Sequence, residues 1–132
     1  MEESRIEKAR QLCPNGEFRT QNLTPGNISN LSEADVTLVL TVHHWWVSEF
    51  GWEAAASMLQ TLMKHTRLLV YEPPGDQYIH PSISTDQSMT EYYKTVLKNI
   101  DPRVDIVGMG KTDYKDSARV DPLYVLDCTN IQ

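Results

Sequence analysis

The run Val36-Thr37-Leu38-Val39-Leu40-Thr41-Val42 constrains this chain more than any other feature, because it is almost continuously apolar and β-branched. A strand with one face in water alternates apolar and polar side chains. A run without that alternation suits a strand buried on both faces of a largely parallel sheet. It is therefore expected to form the central strand. The period then changes: Trp52, Ala55, Ala56, Leu59, Leu62 and Met63 recur at helical spacing over Gly51 to His65, among residues of high helix propensity. Arg67 to Glu72 reads as a second apolar strand, stopped by Pro73-Pro74-Gly75.

Upstream, Ile6, Ala9 and Cys13 share one face of an expected helix over Glu2 to Cys13, with Ser4 and Glu7 spaced as a capping box. Pro14-Asn15-Gly16 breaks it, Glu17 to Gln21 alternates enough for a modest strand, and Asn22 to Asp35 is rich in turn-forming residues. Downstream, a long loop runs to about Gln87. Ser88 and Glu91 then cap a helix whose face is Met89, Tyr92, Tyr93, Val96, Leu97 and Ile100, ending at Asp101-Pro102. Val104 to Met109 and Leu123 to Cys128 are the last strands, expected to pair antiparallel. This order predicts one α/β domain over residues 1–132: three layers around a mostly parallel sheet, closed by a C-terminal antiparallel hairpin.

Composition narrows the partners. A formal net charge of −6, with Lys and Arg scattered, offers no footprint for a phosphate backbone, so nucleic acid is not expected. No apolar run approaches the roughly 18 residues of a membrane span and the N-terminus is charged, so the expected location is the cytoplasm. Cys13 and Cys128 lack metal-ligand spacing and are expected to be reduced thiols. The sequons beginning at Asn22, Asn27 and Asn30 would matter only in a glycosylating pathway.

Several segments in order carry a family resemblance: Asp-Val-x-Leu-Val-Leu-x-Val-His-His over 35–44, Trp-Glu-Ala-Ala over 52–55, and Arg-Leu-Leu-Val-Tyr-Glu-Pro-Pro-Gly over 67–75. The tail from Val104 to Tyr114, followed by Pro122-Leu123-Tyr124-Val125-Leu126, adds the hairpin. Together they resemble the C-terminal part of a class I S-adenosylmethionine-dependent methyltransferase domain, a Rossmann-like fold, from its fourth strand to its end. The resemblance covers about Glu3 to Asp127, taking the first helix as the one after the family's second strand. It implies S-adenosylmethionine as cofactor. Yet the family's glycine-rich turn after its first strand, and the acidic residue ending its second, have no counterpart here. Gly108 and Gly110 follow a late strand with no helix pattern behind them, so their Gly-x-Gly spacing is not that cradle.

The resemblance places cofactor contacts at Asn22, Thr41 and Val42. A turn-forming Asn explains Asn22 equally well. His43 and His44 lie at the strand edge where open α/β sheets bind ligands, and with Glu72 at the next strand's end they form the catalytic set it suggests. Neighbours on a strand face opposite ways, so the two histidines are poorly placed to chelate one metal, and no metal site is expected. Packing and loop anchoring are the plain readings of both histidines, as is a solvated carboxylate for Glu72. Trp45, Trp46 and Tyr78 could line a substrate site, one Trp packing and one exposed, with Tyr78 and His80 in a loop long enough to cover it.

Without the family's first strand, the edge of Val36 to Val42 is bare, which predicts a homodimer covering it. Alternatively, Phe18 to Asn22 pairs there within one monomer. The functional expectation is a methyltransferase-like protein without autonomous S-adenosylmethionine-dependent catalysis. Two alternatives stand beside it: an active small-molecule or protein methyltransferase completed by another copy or segment, and a non-catalytic small-molecule binding domain.

Overall fold

The computed structural model describes residues 2–73, 89–113 and 120–132. Its elements are α1 (Glu2–Leu12), a 3-10 turn at Ile28–Asn30, β1 (Ala34–Val39), α2 (His43–Phe50), α3 (Trp52–Lys64), β2 (Thr66–Tyr71), α4 (Met89–Ile100), β3 (Asp105–Asp113), β4 (Val120–Asp127) and a 3-10 turn at Thr129–Ile131. The four strands form one sheet in the order β1-β2-β4-β3. β1 and β2 are parallel, with Val36 opposite Leu68 and Val39 opposite Tyr71. β4 enters between β2 and β3, antiparallel to both. The expected α/β class is observed, but the sheet is mixed rather than mostly parallel, because the closing strand takes the inner position.

One face of the sheet holds the core. Ala55, Met58, Leu59, Leu62 and Met63 recur along α3 at helical spacing and are all buried. α3 also starts behind a glycine, with Glu53 in its first turn and Lys64 in its last, which suits the helix dipole. Tyr92, Tyr93, Val96 and Leu97 do the same on α4, the two Tyr rings meeting edge to face at 4.9 Å. Beneath them lie the side chains on one face of the strands: Val39, Leu69 and Tyr71, then Tyr124 and Leu126. Tyr124 hydroxyl donates to the Thr90 carbonyl at 2.8 Å, fixing α4 on this side. At the end of α4, buried Asp101 accepts from Arg103 at 2.9 and 2.7 Å and from Gln60 of α3 at 3.3 Å. The Arg103 guanidinium holds the Asp101 carboxyl well below the usual carboxylate range.

The other face is different. Val36 is 52% exposed and Leu38 62%, while their neighbours Leu68, Val70 and Val125 are half-buried. The expected central strand is thus an edge strand, buried on one side only, because among the described residues no strand pairs with its outer edge. It is also shorter than expected. The strand ends at Val39, and Thr41 adopts a φ of 52°, which turns the chain into α2. Glu17 to Gln21 is irregular rather than a strand; Phe18 accepts from Arg10 through its carbonyl, Arg19 pairs with Glu17, and none of this segment reaches β1. Ser4 lies inside α1, not at its cap, and Leu12 is 77% exposed. Ser88 and the loop expected before it fall outside the described residues. No helix among the described residues is long and apolar enough to cross a membrane.

Gly51 joins α2 to α3 at φ 87° and ψ 166°, a conformation open essentially to glycine alone. Gly51→Ala therefore destabilises by about 1–3 kcal/mol despite open space around the added methyl. Leu59→Ala removes a wholly buried side chain and costs about 2–5 kcal/mol. Urea unfolding of both variants checks these values.

Candidate functional site

The site is built by the way β1 ends. A β-branched residue disfavours the left-handed region, so Thr41 marks a strained turn. Its hydroxyl donates to the Leu40 carbonyl at 2.8 Å. Val42 caps α2, accepting from the Trp45 amide at 3.0 Å. This turn swings His43 inward until it is wholly buried. The parallel neighbour ends at the same level, where the Glu72 amide donates to the Val39 carbonyl at 2.9 Å. Thr41, His43, Tyr71 and Glu72 thereby all lie at or just past the C-terminal ends of two parallel strands, the ligand-binding edge of open α/β sheets.

His43 Nδ1 and the Tyr71 hydroxyl share a hydrogen bond of 2.7 Å. The imidazole stands edge-on to Trp46 and Trp52, at centroid distances of 6.1 and 5.8 Å. Burial lowers its pKa to about 4, against a weaker opposing effect of the Ala55 backbone, with His44 adding to the lowering. The ring is therefore neutral at pH 7. Nε2 has no hydrogen-bond partner of normal geometry. Burial also raises the Tyr71 phenol well above its ordinary value, helped by Tyr93, Tyr124 and Tyr92. In this conformation the pair anchors the β1–α2 turn to β2, and no solvent-borne acceptor reaches His43.

The remaining sequence candidates divide. Glu72, expected as a solvated carboxylate, is instead buried at the end of β2. His44 is half-buried, its ring 5.0 Å from that of Trp45. Trp45 is 65% exposed while Trp46 is buried, so the two indoles do not share one wall. Both histidines open a helix, not a strand end as expected. Asn22 is exposed in irregular chain, its carbonyl accepting from Asn27 Nδ2 at 2.9 Å. Tyr78 and His80 lie outside the described residues. Sequence reasoning missed Tyr71 and Trp52 as partners of His43. The signal for Tyr71 was its place one residue before Glu72; Trp52 gave none beyond helical spacing. Among the described residues no group of three His, Cys, Asp or Glu is placed to hold a metal ion. Cys13 is exposed, Cys128 is buried, and both are free.

No protein-family model matches the sequence, and no curated protein matches it. Solved structures do resemble the fold. A crystal structure of WbdD is similar at a TM-score of 0.62 with 18% identity, over 92% of this chain and 27% of WbdD. A second structure, of WbdD described as a bifunctional kinase-methyltransferase, gives the same TM-score and identity. WbdD in complex with a kinase inhibitor gives a TM-score of 0.59 at 17% identity. At this identity the likeness is one of fold, and the chain spans about a quarter of WbdD's length.

Because the folded-state pKa of His43 is depressed from 6.5 to about 4, the unfolded chain binds the proton more readily between those values. The stability that depends on neutral His43 is complete above about pH 6.5 and is lost as pH falls towards 4, on the order of 3 kcal/mol in all. Urea midpoints across that window should drop in the native protein, and His43→Phe should flatten the slope. An unchanged slope in the variant would place the titration elsewhere.

Proposed function

We propose that this polypeptide is a methyltransferase-like unit, corresponding to the C-terminal part of a class I fold, that does not carry out S-adenosylmethionine-dependent methyl transfer by itself. The observation that carries the reading is the sheet: a parallel β1–β2 pair joined through helices and followed by an antiparallel β3–β4 hairpin, as the sequence resemblance implies. The fold likeness to WbdD, whose description includes a methyltransferase, supports it. The second half of the reading rests on the cradle. Methyl transfer needs the sulfonium carbon held in line with its acceptor, and a glycine-rich turn at a helix N-terminus supplies the close approach. Within this chain the Gly108–Gly110 spacing lies inside strand β3, and the outer edge of β1 has no neighbour among the described residues. The residues that would face a cofactor at this edge, Thr41 and Val42, are present without a cradle beside them. His43 and Glu72 are both buried rather than presented to an acceptor, so the exposed Trp45 is the remaining sequence candidate for acceptor binding if another copy or segment completes the site.

Calorimetric titration of the purified chain with S-adenosylmethionine and S-adenosylhomocysteine tests this directly. The expected result is no saturable heat up to about 1 mM ligand, that is, binding weaker than about −4 kcal/mol. Saturable micromolar binding would contradict it and support the reading of a site completed by association.

A further inference from the structure

Seven large apolar side chains stand in water among the described residues, and four of them, Val36, Leu38, Leu40 and Trp45, lie on β1 and the turn into α2. The two edges of the sheet are protected very differently. β3 carries a bulge between Ile106 and Gly108, and Lys98 of α4 reaches across to Val104 and Asp105 at its start. Bulges and lysines are the usual means of blunting an edge. β1 has no register shift, no proline and no lysine. Its outward backbone N–H and C=O groups have no strand partner among the described residues, and the side chains of Val36 and Leu38 beside them are exposed.

We propose that the free edge of β1 is the contact surface between two copies of this chain, paired antiparallel across a two-fold axis near Thr37. Charge sets the direction. Glu33 and Asp35 are exposed at the start of the strand, and no Asp, Glu, Lys or Arg follows until Glu49. Parallel in-register pairing would set each carboxylate beside its own copy, which is destabilising across a ladder. Antiparallel pairing sets them opposite the uncharged stretch Val39 to Thr41 of the other copy. An isologous two-fold contact also satisfies both bare edges at once. Among the described residues no other strand covers this edge, since Glu17 to Gln21 is irregular and the remaining strands are already paired within the sheet.

Area fixes the extent. A six-residue strand is about 20 Å long, and its ladder alone falls short of the roughly 1,600 Å² of a stable interface. The exposed side chains of Leu38, Leu40 and Trp45 from each copy supply the remainder, with Trp45 as the aromatic anchor at the end of the opposite strand. The contact is independent of any cofactor.

Sedimentation over about 1–200 µM protein should give twice the 15.1 kDa protomer mass at the upper end. Leu38→Lys and Trp45→Ser alter exposed positions and should leave the circular dichroism spectrum, and the melting of the dilute monomer, unchanged while weakening dimerisation at least about tenfold. In a Cys13→Ser background, Val36→Cys and Leu38→Cys, which flank the axis, should form interchain disulfides more readily than Leu40→Cys. A monomer throughout the range, a dimer indifferent to both substitutions, or equal cross-linking at all three positions would overturn the proposal.

Discussion

The parallel pairing of β1 with β2 is the contact on which the other features depend. With Val39 opposite Tyr71 and the Glu72 amide on the Val39 carbonyl, both strands end at the same level. A parallel pair cannot be closed by a tight turn, so the chain must cross over, and it does so through α2 and α3 on one face. That crossover brings the apolar stripe of α3 onto the face of Leu69 and Tyr71, while Val36 and Leu38 on the opposite face are left exposed among the described residues. The same register carries His43 to the Tyr71 hydroxyl. The hydrogen bond is buried among aromatic rings, where an unmet partner on either side would cost about 1–3 kcal/mol, so turn and strand are held as one unit.

One-sidedness shapes everything that can be said about function. A doubly covered parallel sheet presents a ligand with two layers of loops at its C-terminal edge; among the residues described here, the outer edge of β1 has no strand partner and Val36 and Leu38 are exposed. The residues at that edge serve packing as much as chemistry. His43 is neutral and enclosed, Thr41 holds the strained turn, and Glu72 ties β2 to β1 through its backbone. Strain at such an edge is where binding sites commonly form; here the strained residue, Thr41, lies two positions before His43, which is tied to Tyr71.

Much of the fold was legible in the sequence where periodicity alone decides. The stripe from Ala55 to Met63 is a helix by spacing, and Tyr92, Tyr93, Val96 and Leu97 are core for the same reason. β2, β3 and β4 lie close to where β-branched runs and turn residues put them. Pairing was less legible. An apolar run such as 36–42 says that a strand prefers burial, not that a second layer is there to bury it, so β1 read as central when it is an edge. α2 was missed because His43, Trp45, Trp46 and Val47 are indifferent helix formers, and its formation follows from the turn at Thr41 and from packing on α3. The His43–Tyr71 pair joins positions 28 residues apart and depends on strand register, which no local pattern encodes. Glu17 to Gln21 alternates like a strand but carries one large apolar residue, Phe18, too little to hold it against the sheet.

Isotope-filtered nuclear Overhauser measurements on the intact chain test the open-edged sheet most directly, because they separate contacts within a chain from contacts between chains. The expected result is backbone contacts of Val36 with Leu68 and of Val39 with Tyr71 within one chain, contacts linking β2 to β4 and β4 to β3, and no intrachain contact on the outer side of β1. Intrachain contacts from residues 17–22 to β1, or a strand order other than β1-β2-β4-β3, would contradict it.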